Sequence, residues 1–149
     1  QLTTKAIVVV LQTYVLVIVG ALVLGVTVGG GRAGAWFDLT IMALLGGSLF
    51  IAIGLAVSGW AKTEETAAPV ANIISMPMMF LSGVFFPLSV MPEWLTRWSQ
   101  YLPLTYLADG MRAITVEGAA LTTLGSELLG LAVWIVITFV IATRMFRWE

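Results

Sequence analysis

Side chains able to do chemistry are few, and the two most versatile kinds are missing: the 149 residues contain no cysteine and no histidine. Their absence removes thiolate and imidazole metal ligands, cysteine nucleophiles and histidine general bases together. A hydrolase needs a nucleophile beside a positioned base, and the remaining Ser, Asp and Glu residues form no such constellation along the chain. The glycine run Gly29, Gly30, Gly31 and Gly34 lacks the Gly-Lys-Ser/Thr ending of a phosphate loop, so it reads as a turn. No catalytic residue, no cofactor and no metal site is therefore expected. With 7 basic and 8 acidic residues the net charge is −1, which offers no surface for nucleic acid.

The charges that remain must be positioned by something, and their distribution says what. Hydrophobic residues make up 60% of the chain and charged ones only 10%, against about 45–50% and 25% in soluble domains. The charges are bunched, and the uncharged stretches between them are long enough to cross a bilayer. Residues 6–28 hold about 23 residues, roughly 34 Å of helix against a hydrocarbon core of about 30 Å. Further spans are expected over 39–60, 67–86 and 125–143. The second contains Gly46, Gly47, Ser48, Gly54, Ser58 and Gly59, small residues that let helix backbones approach closely in lipid. The third carries Pro69 and Pro77 and is expected to kink. No ionisable residue falls in the middle of any of these spans, which disfavours ion coupling.

Between the third and fourth spans, Pro87, Pro92 and Pro103 cut the chain into short amphipathic pieces. Two external helices are expected there, interfacial or re-entrant, over about 92–101 and 103–116. Pro92 suits a first helical position, and Trp94, Leu95, Trp98 and Leu102 then share one apolar face. In the second helix Asp109 and Arg112 are three residues apart on the polar side, a spacing that allows them to pair. Lys5, Lys62, Arg144 and Arg147 fall on one side of the membrane in short loops, which the positive-inside rule makes cytoplasmic. Arg32, Arg97 and Arg112 fall on the other.

The segment from Asn72 to Ile114 is more specific than its composition. It contains Leu81, Ser82, Gly83, Val84, Phe85, Phe86 and Pro87, then Met91, Pro92, Glu93, Trp94 and Leu95, and finally Pro103, Leu104, Thr105 and Tyr106. This string resembles the fifth span and following external helices of type-2 ABC transporter permeases, a family that includes bacterial drug, antibiotic and polysaccharide exporters. The resemblance implies an all-α membrane protein in which residues 1–149 form a single, N-terminally incomplete membrane domain. That domain would hold the third to sixth of six spans.

It further implies a transporter subunit without enzymatic activity, working as a second permease copy pairs with it and a separate ATP-binding cassette subunit hydrolyses ATP. A homodimer in the plasma (inner) membrane is the expected assembly. By the family pattern Val84, Phe85 and Phe86 lie near the dimer midline, where they close the outer end of the substrate pathway. Trp94, Trp98, Asp109 and Arg112 belong to the external helices. Lys62, Glu64 and Glu65 sit on the expected cytoplasmic turn, which makes them the candidate contact with the ATPase, against a simply solvated turn. Efflux of amphipathic small molecules such as drugs or antibiotics is the leading expectation, with polysaccharide or lipid-linked export behind it. A membrane scaffold that packs against partners without transporting is the alternative from a different class.

Overall fold

The computed structural model describes residues 2–25, 27–60 and 64–145. Among them lie six α-helices and no strand: α1 Leu2–Leu24, α2 Ala35–Trp60, α3 Glu64–Leu81, α4 Glu93–Ser99, α5 Pro103–Thr115 and α6 Gly125–Met145. The expected all-helical fold is what the chain adopts. Two helices are long and apolar enough to cross a membrane, over Ala35–Val57 and Gly125–Arg144, while α1 and α3 carry shorter apolar stretches, Val10–Val23 and Pro69–Leu81.

Several helix ends differ from expectation, each for a local reason. The first helix stops at Leu24 rather than near residue 28, because the chain turns at Gly25 and then coils through a short 3-10 turn, Val28–Gly31. The second begins at Ala35, four residues before the expected 39, since Asp38 is tolerated in a first helical turn where the dipole favours a negative charge. The third ends at Leu81 rather than 86: Gly83 has φ +77°, a left-handed conformation that no α-helix contains. Pro69 and Pro77 both lie inside α3, which runs continuously from Glu64 to Leu81.

α2 is the central element. It packs most extensively against α6, and also touches α1, α3 and α5. The buried cluster is Ala35, Leu39, Met42, Leu49, Ile114, Leu124 and Leu131. Outside it the surface stays apolar, with Leu22 and Val23 of α1 more than three-quarters exposed. Such an exterior suits a lipid solvent and would be a liability in water.

α5 sits in the angle between α2 and α6, and glycines make room for it. A Cβ on Gly46 would lie 2.6 Å from Leu107, one on Gly110 2.3 Å from Met42, and one on Gly130 2.6 Å from the Tyr106 ring. Pairs along the helix fix its direction. Trp134 Nε1 donates to the Tyr101 carbonyl just before α5, Tyr106 faces Gly130, and Gly110 faces Glu127. α5 thus runs antiparallel to α6, and its start lies about 14 Å along α6 from Gly125, nine residues at 1.5 Å each. α4 and α5 form a hairpin that folds back along the helix pair.

Candidate functional site

Ser82, Gly83 and the three residues after them form the turn that leaves α3. Ser82 is fully buried and its hydroxyl donates to the Met79 carbonyl at 3.1 Å, closing the last turn of the helix. Gly83 then reverses the chain with its Cα against Leu88, where a side chain would be both strained and crowded. Val84, Phe85 and Phe86 follow with about half their surface exposed. Phe80, one turn earlier on α3, stands against both rings, with centroids 5.5 Å from Phe85 and 6.2 Å from Phe86. The result is an exposed aromatic cluster at the end of a helix. Beside it is a groove of about 380 Å³ lined by Gly83, Val84, Phe85, Pro87, Leu88 and Arg112.

The helical hairpin braces this turn. Thr96 of α4 donates to the Leu88 carbonyl at 3.3 Å, and Thr105 of α5 donates to the Ser99 carbonyl at 2.6 Å, joining the two helices. Arg112 of α5 reaches Gly83 directly, Nη2 donating to its carbonyl at 3.3 Å. The Asp109–Arg112 pair expected from spacing forms, but it is long at 3.5 Å. Burial pushes the Asp109 carboxyl above its usual value of 3.8; Arg112 pulls the other way, while Glu127 and Glu117 reinforce the rise. Trp94 and Trp98 project from α4 and are 66% and 72% exposed, with Ser99 buried on the opposite side.

Of the residues expected to meet the ATPase, the described ones lie apart from this cluster. Lys62 falls outside the described residues, and Glu64 and Glu65 open α3 at the end opposite Gly83, with side chains that are likewise outside the description. Met76 is exposed and Met79 partly so.

The sequence placed Arg32 only by its side of the membrane; among the described residues the structure joins Arg32 and Asp38 in a pair with several further hydrogen bonds. Arg32 binds Asp38 through Nη2, and donates to the Ala119 carbonyl at 2.7 Å and the Gly118 carbonyl at 3.2 Å. Asp38, only 8% exposed, also accepts from the Leu121 backbone N–H at 3.3 Å. Together they pin the α1–α2 loop to the α5–α6 connection. The approach is close enough that a Cβ on Gly118, at φ +67°, would lie 2.9 Å from the Gly29 carbonyl oxygen. The available signal was a pair of opposite charges flanking the start of a helix beside a glycine run. A second polar link was also missed: the Tyr14 hydroxyl donates to the Trp36 carbonyl at 3.0 Å, and their rings stack 5.2 Å apart.

Comparison with known proteins gives this arrangement a context. The chain is 26% identical over 111 residues to nodulation protein J of Rhizobium leguminosarum bv. viciae, covering 74% of this chain and 42% of that protein. It is 26% identical over 136 residues to the "Probable multidrug ABC transporter permease YbhR" of Escherichia coli strain K12, covering 91% of this chain and 36% of the relative. To the inner membrane transport permease YadH of the same strain it is 28% identical over 78 residues, 52% of this chain and 30% of the relative. The chain thus spans well under half the length of these relatives. No solved structure matches it. Residues 1–116 match the ABC-2 type transporter family, and the chain, with its apolar helices and braced aromatic turn, belongs to that family.

Proposed function

We propose that this chain forms part of the membrane permease of an ATP-driven exporter of small amphipathic molecules. In this reading α1, α2, α3 and α6 each span the bilayer, and the α4–α5 hairpin lies in the outer leaflet with Trp94 and Trp98 at the interface. The membrane is the plasma (inner) membrane, which agrees with the name of one relative, an inner membrane transport permease.

The observation that carries the reading is the exposed Val84, Phe85 and Phe86 turn, presented by Gly83 at the end of an apolar helix and braced by α4 and α5. Apolar side chains left exposed at the end of a helix bundle are suited to meeting their copies across a dimer axis. There they close the outer end of a pathway to water while yielding to an amphipathic substrate. The chain binds no nucleotide; a separate ATP-binding cassette subunit supplies hydrolysis and docks on the cytoplasmic turn at Lys62, Glu64 and Glu65. One relative is named a probable multidrug permease, which agrees with small-molecule cargo.

The test uses the full-length protein purified with its ATP-binding subunit in vesicles. These 149 residues contain no cysteine, so in a full-length background with any cysteine elsewhere replaced, Phe85→Cys gives a single reactive site. Oxidation is expected to cross-link two copies and abolish ATP-dependent efflux, with reduction restoring it. Efflux that persists in the cross-linked dimer rejects the gate, and no ATP-dependent efflux of any amphipathic probe favours the scaffold.

A further inference from the structure

Besides the α4 brace through Thr96 and Leu88, the turn that bears Val84, Phe85 and Phe86 has two further attachments of different kinds. One is to α3, through the Phe80 ring. The other is to α5, through the Arg112 guanidinium and the Gly83 carbonyl, partners 29 residues apart in sequence. α3 is the looser support: Ile73 and Met76 are 71% and 64% exposed, and the helix sits at the edge of the fold. α5 is the firmer one. It is wedged between α2 and α6 by Gly46, Gly110 and Gly130, and the Arg32–Asp38 pair ties the connection after it to the start of α2.

Gly83 is the natural pivot between the two supports. At φ +77° its backbone adopts a conformation that costs other residues energy, and the carbonyl that Arg112 holds is its own. A planar guanidinium with five N–H donors can keep Asp109 and this carbonyl at once, which a neutral amide cannot do with charge.

We propose that Arg112 is the positioning residue of the gate: its hydrogen bond to the Gly83 carbonyl makes the Val84–Phe86 turn move with the α2–α5–α6 block and lets α3 tilt beneath it. Helix movements on the α5 side are thereby passed to the aromatic cluster, while the Phe80 contact slides. This rests on the assignment of Val84, Phe85 and Phe86 as the gate, but the mechanical link itself is measurable without transport.

The experiment places spin labels at Val84→Cys and Leu129→Cys, the latter on the exposed face of α6, in the full-length protein in lipid nanodiscs. A control pair, Leu44→Cys with Leu129→Cys, reports whether α2 and α6 stay packed. Arg112→Gln is expected to broaden the 84–129 distance distribution and leave the control pair unchanged. Arg112→Lys, which keeps a charged donor, is expected to narrow it again toward the parent. An 84–129 distribution that Arg112→Gln leaves as narrow as the parent overturns the proposal. So does equal broadening of the control pair, which makes Arg112 a general packing residue. Failure of the Phe85 cross-link to block efflux would reject the gate and leave these distances untouched.

Discussion

Asp38, in the first turn of α2, and Asp109, midway along α5, are carboxylates in different surroundings. Asp38 is held by Arg32 and a backbone N–H, so removing its cation leaves a charge with little access to water. Arg32→Ala is expected to destabilise the fold by about 3 kcal/mol, the lower end for breaking a buried pair, because a third of Arg32 still reaches solvent. Reversible unfolding in mixed micelles measures it, and a change indistinguishable from that of a surface substitution would count against the clip. At Asp109 burial dominates. Burial raises its folded value above the unfolded one, so the folded state binds that proton more tightly. Its contribution to stability is full below its usual 3.8 and is lost as pH rises through the raised folded value. Asp109→Asn should flatten the stability profile over that window, and an unchanged profile would show that burial does not govern this group.

At the level of elements, the seat of α5 is set by where α2 and α6 lack side chains. Gly130 faces the Tyr106 ring and Gly46 faces Leu107, whereas Gly54 of α2 has no heavy atom within 4 Å of where a Cβ would stand. Gly130→Ala must push an aromatic ring aside and should cost about 1–3 kcal/mol by overpacking. Gly54→Ala meets no obstacle in the chain and should be neutral or gain up to about 1 kcal/mol from helix propensity. Unfolding of the two variants side by side checks the pair of expectations, and equal losses would mean that Gly54 too is covered. Trp134 supports the same seat, since its indole N–H caps the Tyr101 carbonyl at the hairpin tip. Trp134→Phe keeps an aromatic side chain, removes the donor and should cost at least about 1 kcal/mol.

For the whole molecule, the proposed transport cycle requires that movement at the ATPase contact reach the aromatic turn. Glu64 and Glu65 open α3 and Gly83 lies just beyond its other end, so docking is proposed to tilt α3 against the α2–α5–α6 block, which carries the turn through Arg112. Reversing both charges, Glu64→Lys with Glu65→Lys, is expected to weaken coupling to the ATP-binding subunit by on the order of tenfold, about 1.4 kcal/mol. The readouts are co-purification and ATP-driven efflux of the full complex, with insertion of the permease itself unchanged. Unaltered efflux would remove these residues from the docking surface.

What the amino-acid sequence determined by itself follows from solvation and local conformation. Runs such as Leu39 to Trp60 can satisfy their backbone groups in lipid only as helices. Pro92 and Pro103 start α4 and α5 close to where the spacing put them, because proline's fixed φ and missing N–H are local properties. The Leu81 to Pro87 string was distinctive enough to mark the family before any fold was known. Tertiary structure alone decided the rest. That α5 folds back between α2 and α6 depends on three glycines on three different helices meeting the right side chains. That Arg112 holds Gly83 more closely than Asp109, and that Arg32 and Asp38 clasp residues 118 to 121, depends on contacts between segments 29 to 87 residues apart. A charge announces in sequence that it needs a partner; only the packed chain chooses which one.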